Sequence, residues 1–224
     1  MNVLGLDTAT SATAVALARS DGWLREARDD ARPGERPQHA QRLLVLAAEL
    51  LAAAGIDWPQ IGLIAAGVGP GGYTGLRIGL ASARGLARAH GARLVGVGTL
   101  AALAEPVQTR SVAAVIDARR GEAFIAVYRD GGELLAPRVC RPDELAALAG
   151  AGGPGTLAVG DGALRFRELI ERGGVAVAPV DSDLHAVSAG AICRLAVGAS
   201  ATVANPDYLR LADAEIALGA APTP

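Results

Sequence analysis

Apolar residues in this chain come in short blocks that stop at Gly, Asp or Pro, and their spacing alternates between strand-like and helix-like periods. Val3–Asp7 and Ala12–Ala18 read as strands, Ser20-Asp21-Gly22 as a turn, and Trp23–Arg28 as a third strand. Arg32–Pro37 is polar, contains two prolines and reads as a loop. A helix is predicted over Gln38–Ala54, stopped by Gly55. Then come a buried strand, Leu63–Val68, a glycine-rich turn, Gly69–Gly72, a helix over about Thr74–Ala89, and a strand, Arg93–Val97. The pattern restarts at Ala113–Asp117, again an apolar strand ending in an acid, followed by Glu122–Arg129 and the turn Asp130-Gly131-Gly132. With Asp7 set over Asp117 at a constant offset, Val15 meets Ile125, Ala16 meets Ala126, Leu17 meets Val127 and Arg19 meets Arg129, which predicts an internal duplication. Further on, Pro142–Ala149, Ala163–Glu171 and Leu184–Val197 read as helices, and Leu157–Val159 and Val175–Ala178 as strands. Strands alternating with helices give an α/β architecture.

Composition narrows the function classes. The chain has 224 residues, 51% of them hydrophobic, enough for a substantial core. A formal net charge of −2 argues against tight RNA binding by this chain alone, and 3% aromatics leaves no evident stacking platform for single strands. Cys140 and Cys193 lie far apart with no CxxC, as expected of free thiols in a reducing cytoplasm. The start, MNVLGLDTAT, has neither the basic nor the long apolar part of a signal peptide, and no apolar run approaches the roughly 20 residues of a membrane span, so a cytoplasmic location is expected.

Two segments are candidates for chemistry. Asp7-Thr8-Ala9-Thr10 ends a strand and enters a tight hairpin; it reads either as a polar turn satisfying its own backbone or as a phosphate-facing loop in which Asp7 holds Mg²⁺ through water. Gly69-Pro70-Gly71-Gly72-Tyr73-Thr74-Gly75-Leu76-Arg77 runs from strand to helix. Glycine there permits close backbone approach and the helix start favours an anion, with a tight structural turn as the equal alternative. It is no Walker A loop, because no Gly-Lys-Ser/Thr follows, and the chain contains no lysine at all. Asp7, Thr8, Gly69, Gly71, Gly72 and Thr74 are therefore the candidate nucleotide- or phosphate-facing residues.

His39, His90 and His185 form no paired metal motif, so no metal site is expected, and no Gly-x-Ser-x-Gly elbow is present. The first helix is apolar over most of its circumference, wider than the roughly 100° stripe that covers a sheet. The excess is either a second contact or alanine padding. On the second helix Arg77, Arg84 and Arg88 share one stripe, a solvated face or an acidic-partner contact, while Gly75, Gly79, Ser82 and Leu86 share another that admits a close helix neighbour.

Duplicated β-β-β-α-β-α lobes with an acid ending each first strand resemble the actin-like ATPase (sugar kinase/Hsp70) fold. That predicts lobes over 1–105 and 106–216, each with a mixed sheet, and a flexible tail over 217–224. More specifically, Asp7–Thr10, the His39 helix, the run Gly69–Gly79, Asp117-Ala118-Arg119-Arg120 with Tyr128, and Pro206-Asp207-Tyr208-Leu209-Arg210 together resemble the TsaB (YeaZ-type) family, in order along nearly the whole chain. The family usually has Ser-Phe where Gly72-Tyr73 stand and Pro near Val45. The resemblance implies a non-catalytic subunit that pairs with TsaD and, with TsaE, enables transfer of threonylcarbamoyl from threonylcarbamoyl-AMP to adenosine 37 of tRNA. Contact with tRNA would come only through the complex, self-pairing would occur in isolation, and no membrane is involved. In TsaD a His pair helps hold the metal; the comparable stretch here, Gly96–Ala102, has no histidine. The implied partner surface is the pair of helices, with His39, Leu43, Leu46, Leu50, Gly75, Arg77, Gly79, Ser82 and Leu86 as its expected residues. No cofactor is firmly indicated; the candidate is ATP or ADP with Mg²⁺ at or near that interface. The alternative is a small actin-like phosphotransferase or ATPase, disfavoured by length; a metallopeptidase lacks ligands.

Overall fold

In a computed structural model, which describes residues 1–32, 34–199 and 204–209, the chain builds two five-stranded sheets. The first takes β1 (Asn2–Asp7), β2 (Ala12–Ala18), β3 (Leu24–Asp30), β4 (Ile61–Gly69) and β5 (Arg93–Gly98), in the order β3-β2-β1-β4-β5. The second takes β6 (Ser111–Arg119), β7 (Glu122–Arg129), β8 (Gly132–Cys140), β9 (Leu157–Val159) and β10 (Ala176–Val177), in the order β10-β9-β6-β7-β8. Read from β8, the second order repeats the first. In each sheet the first three strands run as an antiparallel meander and the last two join in parallel.

Helices sort into three layers because each sheet has two apolar faces to cover. Helices α1 (His39–Ala54) and α2 (Tyr73–His90) pack on the outer face of the first sheet, over Leu4, Leu6, Val15, Leu17, Ile64 and Ala66. Helices α4 (Pro142–Gly150), α5 (Asp161–Arg165) and α6 (Arg167–Arg172) cover the outer face of the second, over Ala113, Val115, Ile125 and Val127. Between the sheets lie α3 (Thr99–Ala104) and α7 (Ala189–Gly198), whose Leu100, Leu103, Ile192 and Cys193 join both inner faces into one core. Polar ties reinforce that seam. The Glu26 carboxylate of β3 caps α7, accepting from Ser188 Oγ at 2.8 Å, Ala189 N at 2.8 Å and Gly190 N at 3.0 Å. Arg194 of α7 pairs with Glu105 at the end of α3 at 2.6 Å.

Several readings of the sequence change. The helix expected over Leu184–Val197 begins only at Ala189, after a 3-10 turn over Asp183–His185. The helix expected over Ala163–Glu171 is two short helices broken at Phe166, and the strand β8 and the helix α3 went unforeseen. The constant offset between halves also holds only in part. Val15 and Ile125 both face the outer helices, but Val15 pairs with Leu6 while Ile125 pairs with Val115. The first strand of the second half has therefore slipped by one residue, and a one-residue slip reverses the face of every side chain. Asp7 points toward Thr99 of α3, whereas Asp117 points toward Arg165 of α5. The tail expected over 217–224 lies outside the described residues.

Candidate functional site

The β1–β2 hairpin, the glycine turn before α2 and the β6–β7 turn meet at the mouth of the cleft between the sheets, around a cavity of about 700 Å³. Its walls carry Thr8, Thr10, Ser11, Gly71, Gly72, Tyr73 and Thr74 from the first half, and Asp117, Arg119, Arg120 and Asp161 from the second. The β6–β7 turn is held by Asp117, whose carboxylate accepts from Arg119 N at 2.9 Å and pairs with Arg165 at 2.7 Å. Arg119 and Arg120 both sit in the left-handed region, at φ 65° and 51°. Asp161, lying against Asp117, has its carboxyl pushed up by burial.

The glycine turn lines this cavity at Gly71 and Gly72, but its close contacts are with the hairpin. It closes on the hairpin. Gly72 N donates to the Ala9 carbonyl at 2.7 Å, and Thr8 Oγ1 donates to the Gly75 carbonyl at 2.7 Å. A Cβ on Gly71 would stand 2.4 Å from the Ala9 oxygen, on Gly75 2.0 Å from the Thr8 oxygen, and on Gly79 2.4 Å from Thr8 Oγ1. Gly75 and Gly79 are thus small because β1's end packs against them, and the close approach expected of a partner helix is made by Thr8 instead. His39 completes the plug: it is buried, its Nδ1 lies 2.9 Å from Thr13 Oγ1, and burial pushes its imidazole toward the neutral form.

Asp7 is sealed as well. It is 2% exposed, and its oxygens accept from Ala9 N at 2.8 Å and Thr99 Oγ1 at 3.2 Å. Gly67 lies so close that a Cβ there would meet Asp7 Oδ2 at 1.9 Å. Desolvation lifts the carboxyl to about 6. Neither Asp7 nor Gly69 lines the cavity; Gly69 N instead donates to Thr99 Oγ1 at 3.2 Å. The structure thus sets Asp7 and Gly69 apart from the other candidate phosphate-facing residues, with both Asp7 oxygens taken up by protein donors. Among the described residues no group of three His, Cys, Asp or Glu side chains is arranged to hold a metal. Burial raises the thiols of Cys140 and Cys193 to about 11 and about 12, which makes poor nucleophiles of both.

The expected partner residues divide sharply. Leu43, Leu46 and Leu50 are 1%, 4% and 6% exposed and belong to the core under α1, with His39, Gly75 and Gly79 buried beside them. Leu86 is partly buried against the same cluster, and Ser82 is half-buried. The sheet takes the stripe with the densest leucines, so Leu43, Leu46 and Leu50 are not surface. What remains outside is the rest of α1's wide apolar girth: Leu44 at 48% and Val45 at 42%, with exposed Ala48 and Ala52. Exposed Ala81, Gly85 and Ala89 lie on neighbouring α2. Arg77 stays exposed, its guanidinium 4.0 Å from the Tyr73 ring centroid and its Nε donating to Tyr208 Oη at 3.2 Å. Thr99, Thr13 and Tyr208 were not singled out individually from sequence, although the Gly-Thr step that opens α3 and the Pro206–Leu209 motif carried the signal.

Comparison with known proteins adds independent findings. The family model described as "TsaD: tRNA N6-adenosine threonylcarbamoyltransferase" matches residues 35–176, more than half of the chain. The Escherichia coli "tRNA threonylcarbamoyladenosine biosynthesis protein TsaB" is 38% identical over 133 residues, 58% of this chain and 55% of that protein. The Haemophilus influenzae protein of the same name is 31% identical over 160 residues, 64% of this chain and 66% of that one. The chain thus spans between about half and two thirds of the length of these relatives. The crystal structure of YeaZ from Pseudomonas aeruginosa superposes with a TM-score of 0.73 at 31% identity, over 93% of this chain and 99% of that one. A ROK hexokinase from Thermus thermophilus, 16% identical with a TM-score of 0.52 over 88% of this chain and 100% of that one, shares the actin-like fold alone. Among the described residues no helix is long and apolar enough to cross a membrane.

Proposed function

We infer function from one premise: this chain belongs to the TsaB (YeaZ-type) family. It acts as a non-catalytic cytoplasmic subunit of the assembly that transfers threonylcarbamoyl from threonylcarbamoyl-AMP to N6 of adenosine 37 in tRNA. It pairs with a TsaD-type catalytic subunit, works together with TsaE, and meets tRNA only within that complex.

The observation that carries this reading is the two-helix face of α1 and α2. Leu44 and Val45 lie bare on a helix whose other leucines are already spent in the core, and neighbouring α2 carries exposed small residues of its own. Two helices meeting two helices can supply a standard interface of about 1,600 Å². In isolation the same face can pair with itself, since a two-fold contact needs only self-complementarity.

The sealed Asp7 supports absence of chemistry in this chain. A carboxyl held by Thr99 and Ala9 N, outside the cavity, is placed as an internal strut for the hairpin. An ATP or ADP ligand would have to be gripped by arginines and backbone at the cleft mouth, without Asp7. Co-purification with a TsaD-type partner, together with ATPase and transferase assays on the pure chain, tests the reading. Association without turnover is expected; turnover by the pure chain near the ordinary enzymatic range of about 1–10³ s⁻¹ would favour the phosphotransferase alternative.

A further inference from the structure

The segment 204–209 runs as a strap over α2 and the glycine turn. Ala204 is 3% exposed in the core under α1 and α2, and its carbonyl accepts from Arg84 Nη2 at 2.7 Å. Asp207 N donates to the Val68 carbonyl at the end of β4 at 2.7 Å, and the Asp207 carbonyl fills the space beside Gly69, 2.8 Å from where a Cβ would stand. Tyr208 packs against Tyr73 in a tilted ring pair with centroids 5.3 Å apart, while its hydroxyl accepts from Arg77. Leu209, partly buried, then packs against the core between the sheets.

The strap grips what most needs gripping. Between β4 and α2 the chain passes through Gly69, Gly71 and Gly72, residues whose own conformational preference is weakest. Gly72, the N-cap of α2, offers no side-chain cap, and α2 has no acidic residue in its first turn. The first turn therefore depends on outside contacts: the hairpin on one side, the strap on the other. The strap touches β4 at Val68, the first turn of α2 at Tyr73 and Arg77, and the middle of α2 at Arg84. Asp207, Tyr208 and Leu209 also line the cleft cavity.

We propose that residues 204–209 are a latch: when seated they order the glycine turn and the first turn of α2, and so set the shape of the face that α2 offers a partner. The latch itself stands on the intramolecular contacts; only its effect on the partner rests on the docking function proposed above. Two variants of the full chain test it. Asp207→Pro removes the N–H given to Val68, and Tyr208→Ala removes both the ring contact with Tyr73 and the acceptor for Arg77. Amide hydrogen exchange of the isolated chain is measured by mass spectrometry, beside affinity for a TsaD-type partner. Both variants should speed exchange across 69–79 at least about tenfold, leave β6–β8 unchanged and weaken partner binding about tenfold. Tyr208→Phe, which keeps the ring, should fall between them and the parent chain. Unchanged exchange across 69–79 in both variants overturns the latch, whatever the partner does. Faster exchange with unaltered affinity keeps the latch and overturns the docking role of α2.

Discussion

Thr8 at the end of β1 donates its hydroxyl to the carbonyl of Gly75 in the first turn of α2, 2.7 Å away across 67 residues of sequence. The contact fixes how the two segments richest in apparent chemistry are used. Hairpin and glycine turn satisfy each other, so the residues that resemble a phosphate cradle form a packed joint. Gly75→Ala would press a methyl against the Thr8 carbonyl and Gly79→Ala one against the Thr8 hydroxyl. Overpacking of this kind costs about 1–3 kcal/mol. Chemical denaturation should place both variants below the parent chain, while Gly85→Ala, with open space around its Cα, should be neutral or stabilising.

Asp7 gives a prediction with a definite sign. Burial pushes its carboxyl up to about 6 in the folded chain, from an ordinary value of 3.8. The folded state thus binds more protons than the unfolded one between those values, and stability falls as pH rises through that window. Above about 6 the full penalty is present, up to about 3 kcal/mol at about 1.4 kcal/mol per pH unit. Asp7→Asn removes the charge and keeps one acceptor oxygen, for Ala9 N, while its amide NH2 replaces the oxygen that accepts from Thr99 Oγ1. Thermal denaturation at pH 7 should find this variant more stable than the parent, with the slope between pH 4 and pH 6 reduced. Loss of stability at pH 7 would mean that the carboxylate has a partner that neutral Asn cannot replace.

The corrected assignment of α1 separates folding from association. Leu46→Glu puts a charge into the core and should unfold the chain, because an unpaired buried charge costs several kcal/mol. Leu44→Glu should leave the melting curve within about 0.5 kcal/mol of the parent, as surface changes do. Circular dichroism of the two variants is the check; equal effects would contradict the division of the helix into core and bare arcs.

Most of the architecture was legible from the sequence, because strand blocks such as Ala12–Ala18 and Glu122–Arg129 carry unbroken apolar patterns ended by turn residues. Strand β8 was missed because Gly132–Cys140 is an exposed edge with Pro137 inside it, which dilutes the period. The wide apolar girth of α1 could be read directly, but which arc faces the sheet could not. Leu43 and Leu44 are chemically alike, and only the packing of the helix on β2 decides between them. The glycine stripe of α2 likewise announced a close approach without saying that Thr8 makes it. The slip between the duplicated halves is invisible in sequence because one residue of register changes no composition, only the face of the sheet that Asp117 occupies.

The central claim is that this chain works through the bare arc of α1 and its neighbour α2, as a subunit without chemistry of its own. The most direct measurement is threonylcarbamoyl transfer to tRNA by a reconstituted mixture of TsaD-type and TsaE-type partners with either the parent chain or Leu44→Glu, alongside sizing chromatography of each pair. The account predicts full transfer with the parent chain, none with the parent chain alone, and loss of both complex and transfer with Leu44→Glu while that variant stays folded. A folded Leu44→Glu chain that still forms the complex and supports transfer at the parent rate would contradict it.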